Sequence, residues 1–383
     1  MSADLKSAEA TEALAQEQGA ETQRLVIATQ WQLMWWKFRD HKMAYISLYV
    51  LAALYLTTLL CEFLSPHDPN QRSALYRHAP PQSIHMIHEG GLRLPFVYPM
   101  VRHVDPETRR VTYQDDLQRP LTLKLFARGD SYELWSLIPM TRHLIGIEAE
   151  EGERLVLFGA DRLGRDLLSR ILYGSRISLT IGLVGVSLSL VLGVIIGGVS
   201  GFYGGLIDSV VQRVIEILRS FPTLPLWLSI SAAIPATWSN VTVYFAMTVI
   251  LSLIGWTGLA RVVRGKFLAL REEDYVAAAK VAGVREFTII MRHLVPGFLS
   301  HLIVSVTLAI PGMILAETSL SFLRLGLRPP SISWGVLLQD AQSLTALQLY
   351  PWLMIPALFV IVTVLAFNFI GDGLRDAADP YKI

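Results

Sequence analysis

Six apolar runs, each long enough to cross a bilayer as a helix, constrain this chain more than any other feature. They extend over Met43 to Leu64, Ile177 to Val199, Leu206 to Ile234, Val241 to Val263, Leu294 to Leu315 and Pro351 to Phe369. A hydrocarbon core about 30 Å thick is spanned by about 20 apolar residues, so the pattern predicts six transmembrane helices. Of the 383 residues 52% are hydrophobic, and the 17% that are charged cluster in a few segments, which marks an integral membrane protein rather than a soluble domain. The third run is the least regular, because Asp208, Arg213, Glu216 and Arg219 occupy its first half and Pro222 and Pro225 interrupt it. It is expected to begin in water, enter the membrane near Leu218 and kink at the prolines.

Charge placement orients the spans. Arg24, Lys37, Arg39 and Lys42 precede the first run, and Arg261, Arg264, Lys266, Arg271, Lys280, Arg285 and Arg292 follow the fourth. Both groups belong in the cytoplasm by the positive-inside rule. Six crossings then return Arg375 and Lys382 to the same side, and the uncharged Pro235 to Asn240 link makes an outside turn. Trp31, Trp35 and Trp36 suit an aromatic anchor at the interface. The segment through Thr22 is polar and acidic, lacks the pattern of a cleavable signal peptide, and is expected to be disordered. The net charge of +1 argues neither for nor against nucleic acid.

Between the first two runs, from Ser65 onward, lies the largest hydrophilic piece. Alternating stretches such as LTLKLFARGD, bounded by turn formers including Gly129-Asp130, predict short strands and a small, partly β unit outside the membrane. Its aromatics Tyr98, Tyr113, Phe126 and Trp135 form either a contact patch or the unit's own core.

The chemistry-bearing residues are sparse. Cys61 is the lone cysteine, which excludes an internal disulfide and reads as a small buried apolar residue. His78, His85, His88 and His103 are scattered, and only His85 and His88 have even a weak metal-pair spacing. No GxxxxGK[ST] phosphate loop occurs, and no nucleophile stands with a base. Glu317, at the end of the fifth run, is either a functional group or a solvated or helix-capping carboxylate. In Gly159 to Leu179, Leu167, Leu168, Ile171 and Leu172 share one helical face while Arg165, Asp166 and Arg170 occupy others. This predicts a helix along the outer membrane surface whose charges solvate a face, before Arg176 turns the chain inward. Gly193, Gly197 and Gly198 place small residues at helical spacing in the second run, and Gly201, Gly204 and Gly205 permit tight turning.

The basic segment Asp274 to Pro296, DYVAAAKVAGVREFTIIMRHLVP, separates two apolar runs. Asp274 is a suitable N-cap, Gly283 a left-handed C-terminal residue, and Ala277, Ala278, Ala279 and Ala282 are small enough to let a helix sit deep in another protein's groove. An ordinary amphipathic helix on the membrane's inner face fits the same spacing.

This segment resembles the cytoplasmic loop of ATP-binding-cassette importer permeases, in which two alanines, a glycine and a downstream proline mark the coupling helix that rests on the ATPase. The matching residues are Ala278, Ala279, Gly283 and Pro296. The glutamate usual before the alanine pair is replaced by Ala277, and Glu272 and Glu273 are the nearest carboxylates upstream. Asp161, Gly164, Arg165, Asp166, Ser169, Arg170, Tyr173, Gly174, Arg176 and Ser178 resemble the signature of the C-type permease of dipeptide, oligopeptide and nickel importers. So do GFYGGLID at Gly201 to Asp208, ETSLSFLRLGLRPPSISWG at Glu317 to Gly335, and NFIGDGLRDAADP at Asn368 to Pro380. Arg324 stands where glycine is common, which implies a differently shaped loop. Residues 65–158 match the common dipeptide permease poorly.

The resemblance implies an all-α membrane protein with the six-helix type I importer permease fold and a partly β extracytoplasmic insertion. Its parts are a cytoplasmic tail and interfacial helix (1–42), a first span (43–64), the insertion (65–158) and the permease domain (159–383) with a coupling helix at 274–283. It assigns ATPase coupling to Asp274, Tyr275, Ala278, Ala279, Gly283 and Pro296. The chain is then a transport subunit, not an enzyme, with no cofactor of its own. ATP and Mg are expected on two partner ATPase subunits, beside a second homologous permease chain, an extracytoplasmic solute-binding protein and membrane lipid. The expected location is a bacterial cytoplasmic membrane with both termini in the cytoplasm. An ion-coupled secondary transporter and a membrane-anchored binding or sensor protein are the alternatives. The former requires ionisable groups inside its central spans, and the latter leaves the docking segment unexplained.

Overall fold

A computed structural model describes residues 29–88, 91–107, 111–148, 152–235 and 237–378. The segment expected to be disordered through Thr22, and Arg24 and Lys382 of the charge argument, lie outside them. Helix α1 (Gln30–Asp40) opens with a capping box in which Thr29 Oγ1 accepts from the Gln32 N–H and Gln32 Oε1 accepts from the Thr29 N–H. Its Trp31, Trp35 and Trp36 are exposed while Met34 and Phe38 are buried, so the tryptophans occupy the side facing away from the core. After a break at His41 come α2 (Lys42–Leu59) and the single turn α3 (Cys61–Leu64).

Six strands follow: β1 (His85–His88), β2 (Gly91–Val97), β3 (Met100–Val104), β4 (Val111–Asp115), β5 (Leu121–Leu134) and β6 (Ile138–Ile147). Strands β1, β2, β5 and β6 make one sheet in the order β1-β2-β5-β6, and β3 and β4 make a separate hairpin. Every pairing is antiparallel. The β3–β4 hairpin packs Met100 and Tyr113 onto buried Tyr76, Ala79, Val156 and Ala160, and the Tyr113 hydroxyl donates to Arg77 O at 2.7 Å.

The described residues from Leu167 onward are mainly helical, and their principal helices are α4 (Leu167–Tyr203), α5 (Gly205–Ser220), α6 (Thr223–Ala232), α7 (Asn240–Leu270), α8 (Asp274–Val281), α9 (Glu286–Ile289), α10 (Leu299–Phe322), α11 (Trp334–Leu338) and α12 (Ile355–Ala378). Among the described residues five helical stretches are long and apolar enough to cross a membrane: Lys42–Leu59, Leu167–Tyr203, Asn240–Leu270, Leu299–Phe322 and Pro351–Ala378. The third expected run is not one of them. It divides into α5 and α6, because Pro222 forces Phe221 into extended backbone (φ −84°, ψ 137°) and cannot donate to a continuing helix.

The interfacial helix expected over Gly159 to Leu179 is absent as well. Residues 159–166 form an irregular loop, and Asp166 caps α4 by accepting from the Ser169 N–H at 2.8 Å, so the first turns of α4 already belong to the long helix. At 1.5 Å per residue the 37 residues of α4 reach about 55 Å, well beyond the hydrocarbon core.

The long helices pack in the order α2, α12, α10, α4, α7. The α4–α7 seam is built on glycine. A Cβ on Gly193 would stand 2.7 Å from Leu259 Cβ, and one on Gly201 2.7 Å from Phe267 Cβ and 2.8 Å from Arg264 O, so the two backbones approach as closely as small residues allow.

Candidate functional site

Helix α8 is held to the helical bundle by one stripe of side chains and presents another to solvent. Val276 is fully buried in a cluster with Phe202 from the end of α4, Val263 and Phe267 of α7, Ile289, Leu294, Phe298 and Leu302; Ala279 and Val284 pack on its rim. One helical turn around, Tyr275, Ala278, Val281 and Ala282 are exposed, Val281 to 90%. Phe287, 74% exposed, and Met291 extend this apolar surface beyond α8. Residues at i, i+3 and i+7 share a face, so burial of Val276 dictates exposure of the second stripe.

The ends of α8 are defined by its backbone. The N-cap is Glu273, not Asp274, and its side chain makes no capping bond; Asp274 lies in the first turn, where a carboxylate suits the positive end of the helix dipole. At the other end Gly283 has φ 75°, the Gly283 N–H reaches Lys280 O at 3.0 Å and the Val284 N–H reaches Ala279 O at 3.0 Å. This paired closure stops the helix and redirects the chain into α9. A π-helical turn (Ile290–Leu294) precedes Pro296, which is exposed. The wider turn accommodates a proline that cannot donate to the preceding carbonyls. Of the candidate upstream carboxylates, Glu272 pairs with Arg271 at 2.9 Å.

The platform beneath α8 is clamped by charge. Arg264 of α7 donates from Nη2 to Asp208 Oδ2 at 2.6 Å and from Nε to Asp208 Oδ1, and Ser200 donates to the same carboxylate. Asp208 lies in the first turn of α5, ahead of the stretch where the sequence places entry into the bilayer. Gly204 and Gly205, with φ of 67° and 56°, make the reversal that brings α5 back against α7. Tyr203 donates to Glu286 of α9 at 2.9 Å, and Lys280 Nζ sits 5.3 Å from the Phe202 ring centroid. The site thus joins α4, α5, α7, α8 and α9. Its sequence signal for Val281 and Phe287, two large apolar side chains within a basic segment, was available but is weak without knowledge of which face is buried.

Two family models match the chain: binding-protein-dependent transport system inner membrane component over residues 189–382, and the N-terminal transmembrane domain of oligopeptide transport permease C over residues 29–81. The first covers half of the chain. The chain belongs to the family of binding-protein-dependent transport inner membrane components. It is a multi-pass permease subunit of an ATP-binding-cassette importer and not itself catalytic, and the family works with ATPase and binding-protein partners. It is similar to an oligopeptide transport system permease of Haemophilus influenzae, 43% identical over 58% of this chain and 70% of the relative. A dipeptide transport system permease of Lactococcus lactis is 31% identical over 90% of this chain and 89% of its own. A glutathione transport system permease of Pectobacterium atrosepticum is 39% identical over 58% of this chain and 71% of its own. The Lactococcus alignment runs over 353 residues and therefore passes through the 65–158 region.

At the opposite end of the permease bundle the charged signature is structural. Asp161, Arg165, Asp166 and Arg170 are all buried, not arranged along a solvated face. Asp161 accepts from the backbone of Leu163 at 2.8 Å and Arg165 at 3.0 Å, and pairs with Arg165 Nε at 2.6 Å and Arg170 Nε at 3.6 Å. A buried carboxylate so saturated locks the loop that starts α4. Arg176 pairs with Glu62 at 2.7 Å, tying α4 to α3. Gly164 leaves no room for a Cβ against Ser73 O.

Glu317 is fully buried, neither solvated nor a helix cap, and its Oε1 accepts from Ser321 and Ser333, each at 2.8 Å. Ser333 also caps α11, whose first residue, Trp334, bonds through its N–H to Ser178 Oγ and through Nε1 to Ile171 O, both at 3.1 Å. Glu317 therefore fastens the 323–333 loop to the bundle. Arg324 in that loop has φ 65°, the left-handed conformation that glycine adopts without strain. Among the described residues no group of three or more His, Cys, Asp or Glu side chains is placed to hold a metal. His85 and His88 instead pack against Phe96 and Tyr98, and His88 Nδ1 lies 3.1 Å from the Tyr98 hydroxyl.

Proposed function

We propose that this permease is the C-type subunit of a peptide importer and that α8 is the element through which partner ATPases drive it. The observation that carries the reading is the division of α8 into a buried stripe at Val276 and an exposed apolar stripe at Tyr275, Ala278, Val281 and Ala282, continued by Phe287. An exposed apolar surface within a basic segment suits a protein groove rather than water. The three relatives named above carry oligopeptides, dipeptides and glutathione by their names, which supports short peptides as the solute class. Opines, oligosaccharides and nickel are the rivals, and a binding screen on the cognate solute-binding protein decides among them.

Coupling then follows from packing. ATP and Mg bound by two ATPases close them and displace α8. Val276 shares its cluster with Phe202, Phe267 and Leu302, so the displacement loads α4, α7 and α10 together, and the bundle rocks as a rigid body. A second homologous permease completes the path, and a loaded binding protein engages the extracytoplasmic face, to which residues 65–158 contribute. We assign six crossings: α5 and α6 together supply the broken one, and even parity keeps Lys42 and Arg375 on the cytoplasmic side. The parts 1–42, 43–64, 65–158 and 159–383 retain the roles given to them above.

Gly283→Val tests the coupling role. The substitution penalises the left-handed turn and tilts α9 relative to α8. Membrane insertion should persist while ATPase co-purification and ATP-driven uptake fall together. Full uptake by the variant would remove α8 from the coupling route.

A further inference from the structure

The tip of the β5–β6 hairpin is built unlike a turn meant for water. Residues 134–140 read LWSLIPM and carry no charge, and the turn residues Trp135 and Ser136 hold φ of 54° and 58°. A tight hairpin in that left-handed geometry ordinarily uses Asn-Gly or Asp-Gly. A bulky tryptophan there is strained, and such strain persists only where the surroundings impose it.

The surroundings are the end of the first span. Trp135 Nε1 donates to the carbonyl of Leu59, the last residue of α2, at 2.8 Å. At 1.5 Å per residue the 18 residues of α2 span about 27 Å, so Leu59 stands at the edge of the hydrocarbon core. Next to it, the ring of Phe126, itself at φ 56°, lies 5.9 Å from that of Phe63 in α3. Leu137 is 79% exposed and Ile138 48%, and Leu56 and Leu59, at the end of α2 that Trp135 bonds, are exposed as well. Phe126 and Trp135 therefore do not join Tyr98 and Tyr113, which pack within the β unit.

We propose that this hairpin tip is a membrane anchor, with Leu137 and Ile138 in the interfacial and shallow acyl region of the leaflet that faces away from Lys42. The occupant is lipid, because Trp135 bonds the tip to the end of α2, where Leu56 and Leu59 are exposed, and beyond Glu133, which stands opposite Pro139, the tip carries no charge. Trp135 is then an interfacial tryptophan whose ring is half in lipid and whose N–H is satisfied by the span itself. The anchor holds the 85–147 sheet upright on the bilayer and fixes its tilt relative to the helices.

Depth-dependent quenching tests this in the complete transporter reconstituted in nanodiscs. Leu137→Cys is labelled with a bimane probe in a Cys61→Ser background, with Ile138→Cys as the second position. Leu117→Cys, similarly exposed beyond the opposite end of β5, is the control. Lipids carrying a nitroxide high on the acyl chain should remove most emission at positions 137 and 138 and little at 117, and iodide should do the reverse. The proposal is overturned if iodide quenches 137 and 138 as it does 117. It is overturned equally if neither quencher reaches them, since a protein partner would then cover the tip.

Discussion

Asp161 shows how a single residue converts an apparent surface charge pattern into a lock. Its carboxylate is buried and bonded to Arg165 and to two backbone N–H groups. Replacing it leaves Arg165 and Arg170 buried without their partner, and breaking such a pair costs about 3–5 kcal/mol. We expect Asp161→Ala to lower the thermal stability of the detergent-solubilised permease sharply, whereas Arg162→Ala, whose side chain is largely exposed in its pair with Asp340, should change it little. Equal stability of the two variants would refute the lock. Arg324 gives a prediction of opposite sign. Its left-handed backbone costs an L-residue roughly 1–2 kcal/mol, so Arg324→Gly should stabilise the loop by up to about 1 kcal/mol after glycine's greater unfolded-state entropy is counted. Melting temperatures of the purified variants measure it, and a lower value for Arg324→Gly would show that the side chain contributes more than the turn costs.

At the scale of elements, α8 and the α4–α7 seam have separable roles. Val281 is almost wholly exposed, so Val281→Asp should leave stability within about 0.5 kcal/mol of the parent while weakening ATPase association and uptake. Val276→Ala should instead open a cavity in the shared cluster and cost about 1–3 kcal/mol, because the side chain is fully buried. If Val281→Asp supports normal uptake, the exposed face is not the docking face. In the seam, a side chain at Gly197 would run into the Ala260 backbone, and backbone cannot yield as a side-chain tip can. Gly197→Val should separate α4 from α7 and reduce the yield of folded protein in the membrane fraction, whereas Gly312→Ala, with open space around its position, should be tolerated.

For the whole molecule the decisive quantity is parity. Five helices reach spanning length unaided, which alone would leave Lys42 and Arg375 on opposite sides of the bilayer. Counting α5 and α6 as one broken crossing restores them to the same side. Thr141→Cys on β6 and Lys280→Cys on α8, each in a Cys61→Ser background, discriminate. In intact spheroplasts an impermeant thiol reagent should label the first and spare the second, and a cysteine at Arg375 should be spared too. Labelling of all three positions would reduce the count to five, because without the α5–α6 crossing only α4 and α7 separate Thr141 from Lys280.

Much of this permease was legible in the chain itself. Apolar run length and the clustering of Lys and Arg are one-dimensional consequences of bilayer thickness and charge, so four spans, the final one and the basic loop between Leu270 and Leu299 could be read directly. Gly283 announced a left-handed turn because few other residues tolerate one. What the chain could not disclose was which charges face inward. Asp161, Arg165, Asp166 and Arg170 have the spacing of a solvated interfacial helix, and only the loop from Pro69 to Ala79 packing over them makes them a buried lock. Likewise, Pro222 announced a kink, and only the extended backbone at Phe221 shows that the helix breaks there rather than bends. Trp135 looked like any aromatic of the β unit until folding carried β5 back to the end of the first span. Local chemistry dictates the elements, whereas burial is a property of the assembled fold, and it is burial that separates a lock from a surface charge and a lipid anchor from a core ring.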